Sequence, residues 1–188
     1  VSRMAVRASA RALLAGISLP ATVLAQEANP DASIRIGSLY EPQNLDNTAG
    51  AGQGINEAFN GNVYEALFQL TDAGAVEPKL VDSYEASEDG LTYTFKLKPG
   101  VTFHSGDPLT AADVKYSIER VTAEASKSSR KKSLSTITGI ETPDDQTVVI
   151  TLSARSISLP YNLSYVWIVN DAATDITATE DGTGPYTL

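Results

Sequence analysis

Hydrophobic and polar positions alternate most cleanly over residues 91–97. Leu91, Tyr93, Phe95 and Leu97 share one face, while Thr92, Thr94 and Lys96 share the other. A period of two predicts a half-buried antiparallel strand. Residues 147–152 repeat the pattern with Val148, Ile150 and Leu152, and with residues 137–141 they predict a hairpin around Pro143-Asp144-Asp145. An earlier strand is expected over residues 33–40, with Ile34, Ile36, Ser38 and Tyr40 on one face. A helical period takes over at Ile55, Phe59, Val63 and Leu67, with Ala66 widening the stripe. Asn60-Gly61 lies inside it and argues against an unbroken helix. A second helix is expected after Thr110, burying Ala111, Val114, Ile118 and Val121. Thr110 is its N-cap, Asp113 completes the capping arrangement, and Arg120 complements the dipole near its end.

The connecting segments carry turn chemistry. Residues 70–76 predict a short strand and turn, residues 78–86 read as irregular, and Glu88-Asp89-Gly90 is a turn. Lys98-Pro99-Gly100 turns the chain, Val101 and Phe103 form a short edge, and residues 104–108 turn it again. Residues 123–135 set Lys127, Arg130, Lys131 and Lys132 among serines. Such a run is either a basic patch for a carboxylate or phosphate or a solvated loop, and its composition favours the loop. Residues 158–169, with Pro160, Tyr161, Tyr165 and Trp167, predict a short helix or an irregular buried segment, and residues 181–188 a tight turn entering a strand. No internal repeat is present. Helices mixed with hairpins, without regular βα alternation, predict an α+β or mixed α/β fold and not a doubly wound sheet.

The first residues change the picture of the compartment. Arg3, Arg7 and Arg11 precede an apolar stretch over residues 12–24 that ends in Val23-Leu24-Ala25. This is the pattern of a secretory signal over residues 1–25, with Gln26 as the new N-terminus and a polar linker over residues 26–32. The apolar run is shorter than the roughly 20 residues a membrane-spanning helix needs. The chain has no cysteine, so neither a lipid-modified cysteine nor a disulfide is expected, and stability must come from a packed core. A periplasmic protein that is not a lipoprotein follows as the expectation. The formal charge is −9, which disfavours binding to nucleic acid or to an anionic membrane.

Catalytic constellations are missing. His104 is the single histidine, and one His without Cys makes no zinc site of the usual ligands. The acid pairs Asp144-Asp145 and Glu88-Asp89 sit in turns, where Asp is expected anyway. The loop with Gly50, Gly52 and Gly54 lacks the Gly-Lys-Ser/Thr ending of a phosphate loop. Its glycines instead let backbone approach something closely. No catalytic residue, metal or cofactor is expected.

Residues 93–120 read YTFKLKPGVTFHSGDPLTAADVKYSIER. The alternating strand, Gly100-Val101, Phe103-His104, Gly106, Pro108-Leu109-Thr110-Ala111, Asp113-Val114, Ser117 and Arg120 together resemble the signature of the family 5 solute-binding proteins. That family includes the oligopeptide, dipeptide and nickel receptors of ABC importers. Leu45-Asp46, Val63-Tyr64-Glu65-Ala66-Leu67, Pro78-Lys79-Leu80, Ser83-Tyr84 and Gly182-Thr183-Gly184-Pro185-Tyr186 flank it in family order.

The resemblance implies a fold of periplasmic-binding-protein type II, in which two lobes close on a ligand. Residues 33–188 would form the first lobe, incomplete and without the second, with an extra subdomain over about 47–165. The chain is thus expected to be a fragment that alone binds weakly or not at all, because enclosure between lobes desolvates the solute. The implied function is capture of a peptide or similar small solute for the permease subunits of an ABC transporter, by a monomer. The residues implied to touch ligand are Gly50, Ala51, Gly52 and Gln53. The alternative from another class is a peptide sensor or chaperone-like binder on the same scaffold, independent of a transporter. An exported hydrolase would need a nucleophile and base that these residues do not supply.

Overall fold

The computed structural model describes residues 33, 37, 44–50, 53–173 and 175–187. Ser33 apart, all of them belong to the unit Gly37–Leu188. The expected signal, the linker and, except for Ser33 and Gly37, the strand at 33–40 lie outside the described residues.

Helix α1 (Gln53–Phe59) ends before the apolar stripe does. Gly61 takes φ 76°, a left-handed conformation that glycine adopts without penalty. The chain folds back there, with the Gly61 N–H donating to the Tyr64 carbonyl at 2.8 Å. Ile55, Phe59, Val63 and Leu67 are nonetheless all buried. The four-residue spacing therefore marked burial on both sides of a turn, not one continuous helix.

Strands β1 (Phe68–Leu70) and β2 (Val76–Pro78) form a small hairpin. Strand β3 (Val81–Ala86) occupies part of the segment expected to be irregular. It is an edge strand in which only Val81 is buried. Its side chains carry little apolar alternation because the backbone ladder to β4 (Thr92–Leu97) holds it. Strands β5 (Ile137–Asp144) and β6 (Thr147–Leu152) form the expected hairpin and complete a four-stranded antiparallel sheet of order β3-β4-β6-β5.

Alternation placed the inner face of this sheet correctly. Phe95 pairs with Val148 and Tyr93 with Ile150 across β4 and β6, and all four are buried. Helix α2 (Ala111–Thr122) covers them with Ala111, Val114, Ile118 and Val121. Its start is held by Asp113, whose carboxylate accepts the Thr110 N–H and hydroxyl, each at 2.8 Å. Burying each large apolar side chain stabilises the fold by about 1.5–3 kcal/mol, so sheet and helix form one core. The expected mixed α and β architecture is observed, with the strands of the described residues all pairing antiparallel.

Two further segments differ from expectation. Residues 123–135 are not a uniformly solvated loop: Lys131–Leu134 form a 3-10 helix that buries Leu134 in the sheet core. Among the described residues, 181–187 form no strand and run instead against residues 62–63. Helix α3 (Leu159–Leu163), with Pro160 in its first turn, leads into the buried stretch Val166, Trp167, Ile168 and Val169.

Candidate functional site

A second buried cluster, of Ile55, Phe59, Val63, Tyr64, Trp167, Val169 and Ile176, lies beside the sheet core. Tyr64 stacks on Trp167 with ring centroids 5.0 Å apart, and Phe59 meets both rings edge-on. The indole N–H of Trp167 donates to Asn60 Oδ1 at 3.1 Å. The Tyr64 hydroxyl is pushed up to about 12, chiefly by burial, with the Glu180 and Asp46 carboxylates acting in the same direction. The Asp181 backbone N–H works in the opposite direction.

His104 fastens residues 180–184 against this cluster. Its Nδ1 lies 2.7 Å from Glu180 Oε2, and its Nε2 lies 2.8 Å from the Gly184 carbonyl. Both partners are acceptors, so this geometry favours the imidazolium, the form in which both ring nitrogens donate. Burial is the largest single influence and works against the charge. The Gly184 carbonyl, the Glu180 carboxylate and the charge of Asp181 together outweigh it, and the net effect is a raised pKa. The His104 N–H donates to the Gly182 carbonyl, and the Gly184 N–H to the Val63 carbonyl, both at 2.9 Å. A Cβ on Gly182 or Gly184 would overlap the backbone of Val63 or Asn62, so the glycines permit this close approach of two chains.

The pH dependence follows from the sign of that shift. A group whose pKa rises on folding contributes stability fully below its unfolded value of 6.5 and loses it as pH passes through the higher folded value. Urea midpoints should therefore fall as pH is raised from about 6 to about 9. The His104→Asn variant should lack this component of the slope, and an unchanged slope would refute the imidazolium latch.

Residues 44–50 approach the candidate ligand loop and are braced from α2. Arg120 Nη2 lies 2.7 Å from Asp46 Oδ2, with both side chains largely buried. Asp46 Oδ1 accepts the Thr48 N–H and hydroxyl, each at 2.8 Å. The Lys127 N–H donates to the Thr48 carbonyl at 2.9 Å, and the Leu45 N–H to the Thr177 carbonyl at 3.2 Å. Gly50 closes this braced segment and is half-buried. Ala51 and Gly52 lie outside the described residues, and Gln53 is the first residue of α1. Among the described residues no group of His, Cys, Asp or Glu is arranged to hold a metal, and no helix is long and apolar enough to cross a membrane.

The family described as "Bacterial extracellular solute-binding proteins, family 5 Middle" matches residues 75–188. The chain belongs to this family. A glutathione-binding protein of Pectobacterium atrosepticum is 35% identical over 163 residues, covering 83% of this chain and 31% of the relative. A probable peptide ABC transporter periplasmic-binding protein of Sinorhizobium fredii is 30% identical over 184 residues, or 92% of this chain and 33% of its own. The structure of AgaA from A. tumefaciens R10, solved with agropinic acid, has a TM-score of 0.71 at 35% identity. That alignment covers 78% of this chain and 31% of AgaA. The chain thus spans about a third of the length of the proteins it matches.

Within this family 5 chain the signature around His104 is structural. Gly100 and Gly106 take positive φ in the turns, at 74° and 94°. Phe103 is buried, and Ser117 Oγ accepts the Val169 N–H at 3.0 Å. The Asp46–Arg120 brace was not visible beforehand, although Leu45-Asp46 and Arg120 both belong to the family pattern. Proximity across so long a stretch of chain leaves no periodic trace.

Proposed function

We propose that this chain is part of the periplasmic solute-binding component of an ABC importer. In this reading it captures peptides or similar small solutes and delivers them to the membrane permease. The observation that carries it is the family match over residues 75–188, joined to relatives whose names state glutathione binding and peptide transport. Residues 1–25 serve as the export signal, and residues 47–165 belong to the extra subdomain. Gly50, Ala51, Gly52 and Gln53 offer main-chain groups to the solute.

Two features support that loop assignment. Gly50 is not among the glycines with positive φ, and among the described residues a Cβ there would meet nothing closer than Asn44 Nδ2 at 4.0 Å. Packing among the described residues therefore leaves room beside this glycine for close approach of a solute. The Asp46–Arg120 brace fixes the segment beforehand, which lowers the ordering cost of binding. No catalytic role is assigned: His104, the single histidine, has both ring nitrogens engaged in holding the chain.

A thermal-shift screen tests this on the protein expressed from its complete reading frame, with peptides, sugars and metal complexes as probes. A peptide or amino-acid-like solute should raise the melting temperature, because a ligand that binds only the folded state stabilises it. Cleavage of a test peptide, or no shift with any probe, would overturn the proposal.

A further inference from the structure

The basic run at 127–132 stands out in an acidic chain. Among the described residues Lys79, Lys96, Lys115 and Arg120 each pair with a carboxylate. Lys127, Arg130, Lys131 and Lys132, like Lys98 and Arg155, form no salt bridge with a carboxylate of the described residues, but they alone are clustered in sequence. A solvated run would leave these side chains to water, but Arg130 is held. Its guanidinium carbon lies 3.5 Å from the centroid of the Tyr165 ring and 5.9 Å from that of Tyr161. Stacking covers one face of the guanidinium, and its N–H edge, part of which reaches the tyrosine hydroxyls, keeps further donors for an anion.

The tyrosines add to that fork. Their hydroxyls are 3.4 Å apart. The Tyr161 hydroxyl is held below, and that of Tyr165 above, the ordinary phenol range, in each case chiefly by the hydrogen bond between them. Either hydroxyl can donate to the other, and the Tyr161 side chain is 39% exposed, so its hydroxyl is within reach of a solute. Tyr165 also borders a depression of about 210 Å³ whose wall includes Asn60, Gln69 and Ser164, room for the end of a solute and not for a whole one.

Backbone contacts tie the basic run to the braced segment that ends at Gly50. The Lys127 N–H donates to the carbonyl of Thr48, two residues before Gly50. Asn162 Nδ2 of α3 donates to the Ser133 carbonyl at 3.4 Å. The basic run is thereby tied to that braced segment on one side and to the tyrosine-bearing helix segment on the other.

We propose that Arg130, stacked on Tyr165 and assisted by the Tyr161 hydroxyl, receives a carboxylate of the transported solute, so that the receptor selects carboxylate-bearing solutes. The inference rests on the solute-receptor reading. A planar guanidinium edge matches a carboxylate bidentately, and a phenol proton supplies a further donor. Lys127, Lys131 and Lys132 add an attractive field for an anion.

The test compares acids with their neutral counterparts on the protein from its complete reading frame, by titration calorimetry. Probes are glutathione and its diethyl ester, tripeptides and their C-terminal amides, and sugar acids with their amides. The acid of a bound pair should bind at least about 10-fold more tightly than the neutral form. Arg130→Met should weaken the acid about 10- to 100-fold and leave the neutral form within about 2-fold. Arg130→Lys should recover only part of the loss, since it keeps the charge and loses the fork. Peptide acids binding while sugar acids do not, or the reverse, identifies the source of the carboxylate. Equal affinity for acid and neutral forms, or an Arg130→Met protein that binds acids normally, would refute this inference while leaving the receptor reading intact. No binding by any probe would defeat both. An unchanged urea midpoint in Arg130→Met separates lost recognition from lost folding.

Discussion

Replacing Arg120 by alanine should destabilise the fold by about 3–5 kcal/mol, the cost of leaving a largely buried partner charge without its counterion. Asp46 would keep its bonds from Thr48 but lose the guanidinium at 2.7 Å. The substitution also removes the contact of Arg120 with the Tyr116 ring, at 5.6 Å. Trp167 is the single tryptophan and is buried, so its fluorescence reports unfolding in urea without an added probe. A double variant, Asp46→Leu with Arg120→Met, should recover most of the loss, because an apolar pair of similar volume needs no counterion. A loss below about 1 kcal/mol in Arg120→Ala is the size expected of an exposed pair and would contradict the brace. Solute affinity should fall along with stability, since the same residues steady the approach to Gly50.

The second large effect is expected at Phe95. Its side chain is 0% exposed and lies within ring contact of Phe68, Tyr84 and Tyr93, at centroid separations of 5.2–6.1 Å among these four rings. Phe95→Ala should cost about 3–5 kcal/mol, from lost transfer energy and the cavity left between sheet and helix. The urea midpoint followed at Trp167 measures it, and Phe95→Leu should lose distinctly less. A change under about 1 kcal/mol for Phe95→Ala would place the sheet core elsewhere. Together the two variants separate the forces at work: one removes apolar packing from the sheet, the other a buried ion pair that joins α2 to residues 44–50.

Phe95 and Arg120 also mark how far linear reading reaches. Phe95 was legible because a strand alternates its faces, so Tyr93, Phe95 and Leu97 declared their burial through spacing alone. The stripe of α2 and its Thr110–Asp113 cap were legible for the same reason, being set by neighbours within a turn. Strand β3 was missed because an edge strand is held by backbone bonds that any side chains permit. The helical period read through Leu67 outran the helix because burial, not helical geometry, produced it, and the chain turned at the Asn60-Gly61 pair that argued against an unbroken helix. In the candidate site, the glycines at 50, 52 and 54 raised the expectation of close approach. What steadies position 50 was not legible.

By itself the sequence determined the antiparallel strands β4, β5 and β6, the helix α2 with its cap, the absence of cysteine chemistry and the family signature around His104. Each depends on residues a few positions apart, where covalent geometry ties spacing to direction. Only the tertiary structure decided that Arg120 meets Asp46, that His104 grips Glu180 and Gly184, and that Arg130 lies on Tyr165. Those contacts join segments far apart along the chain, and their distances exist only after the apolar core has drawn the elements together.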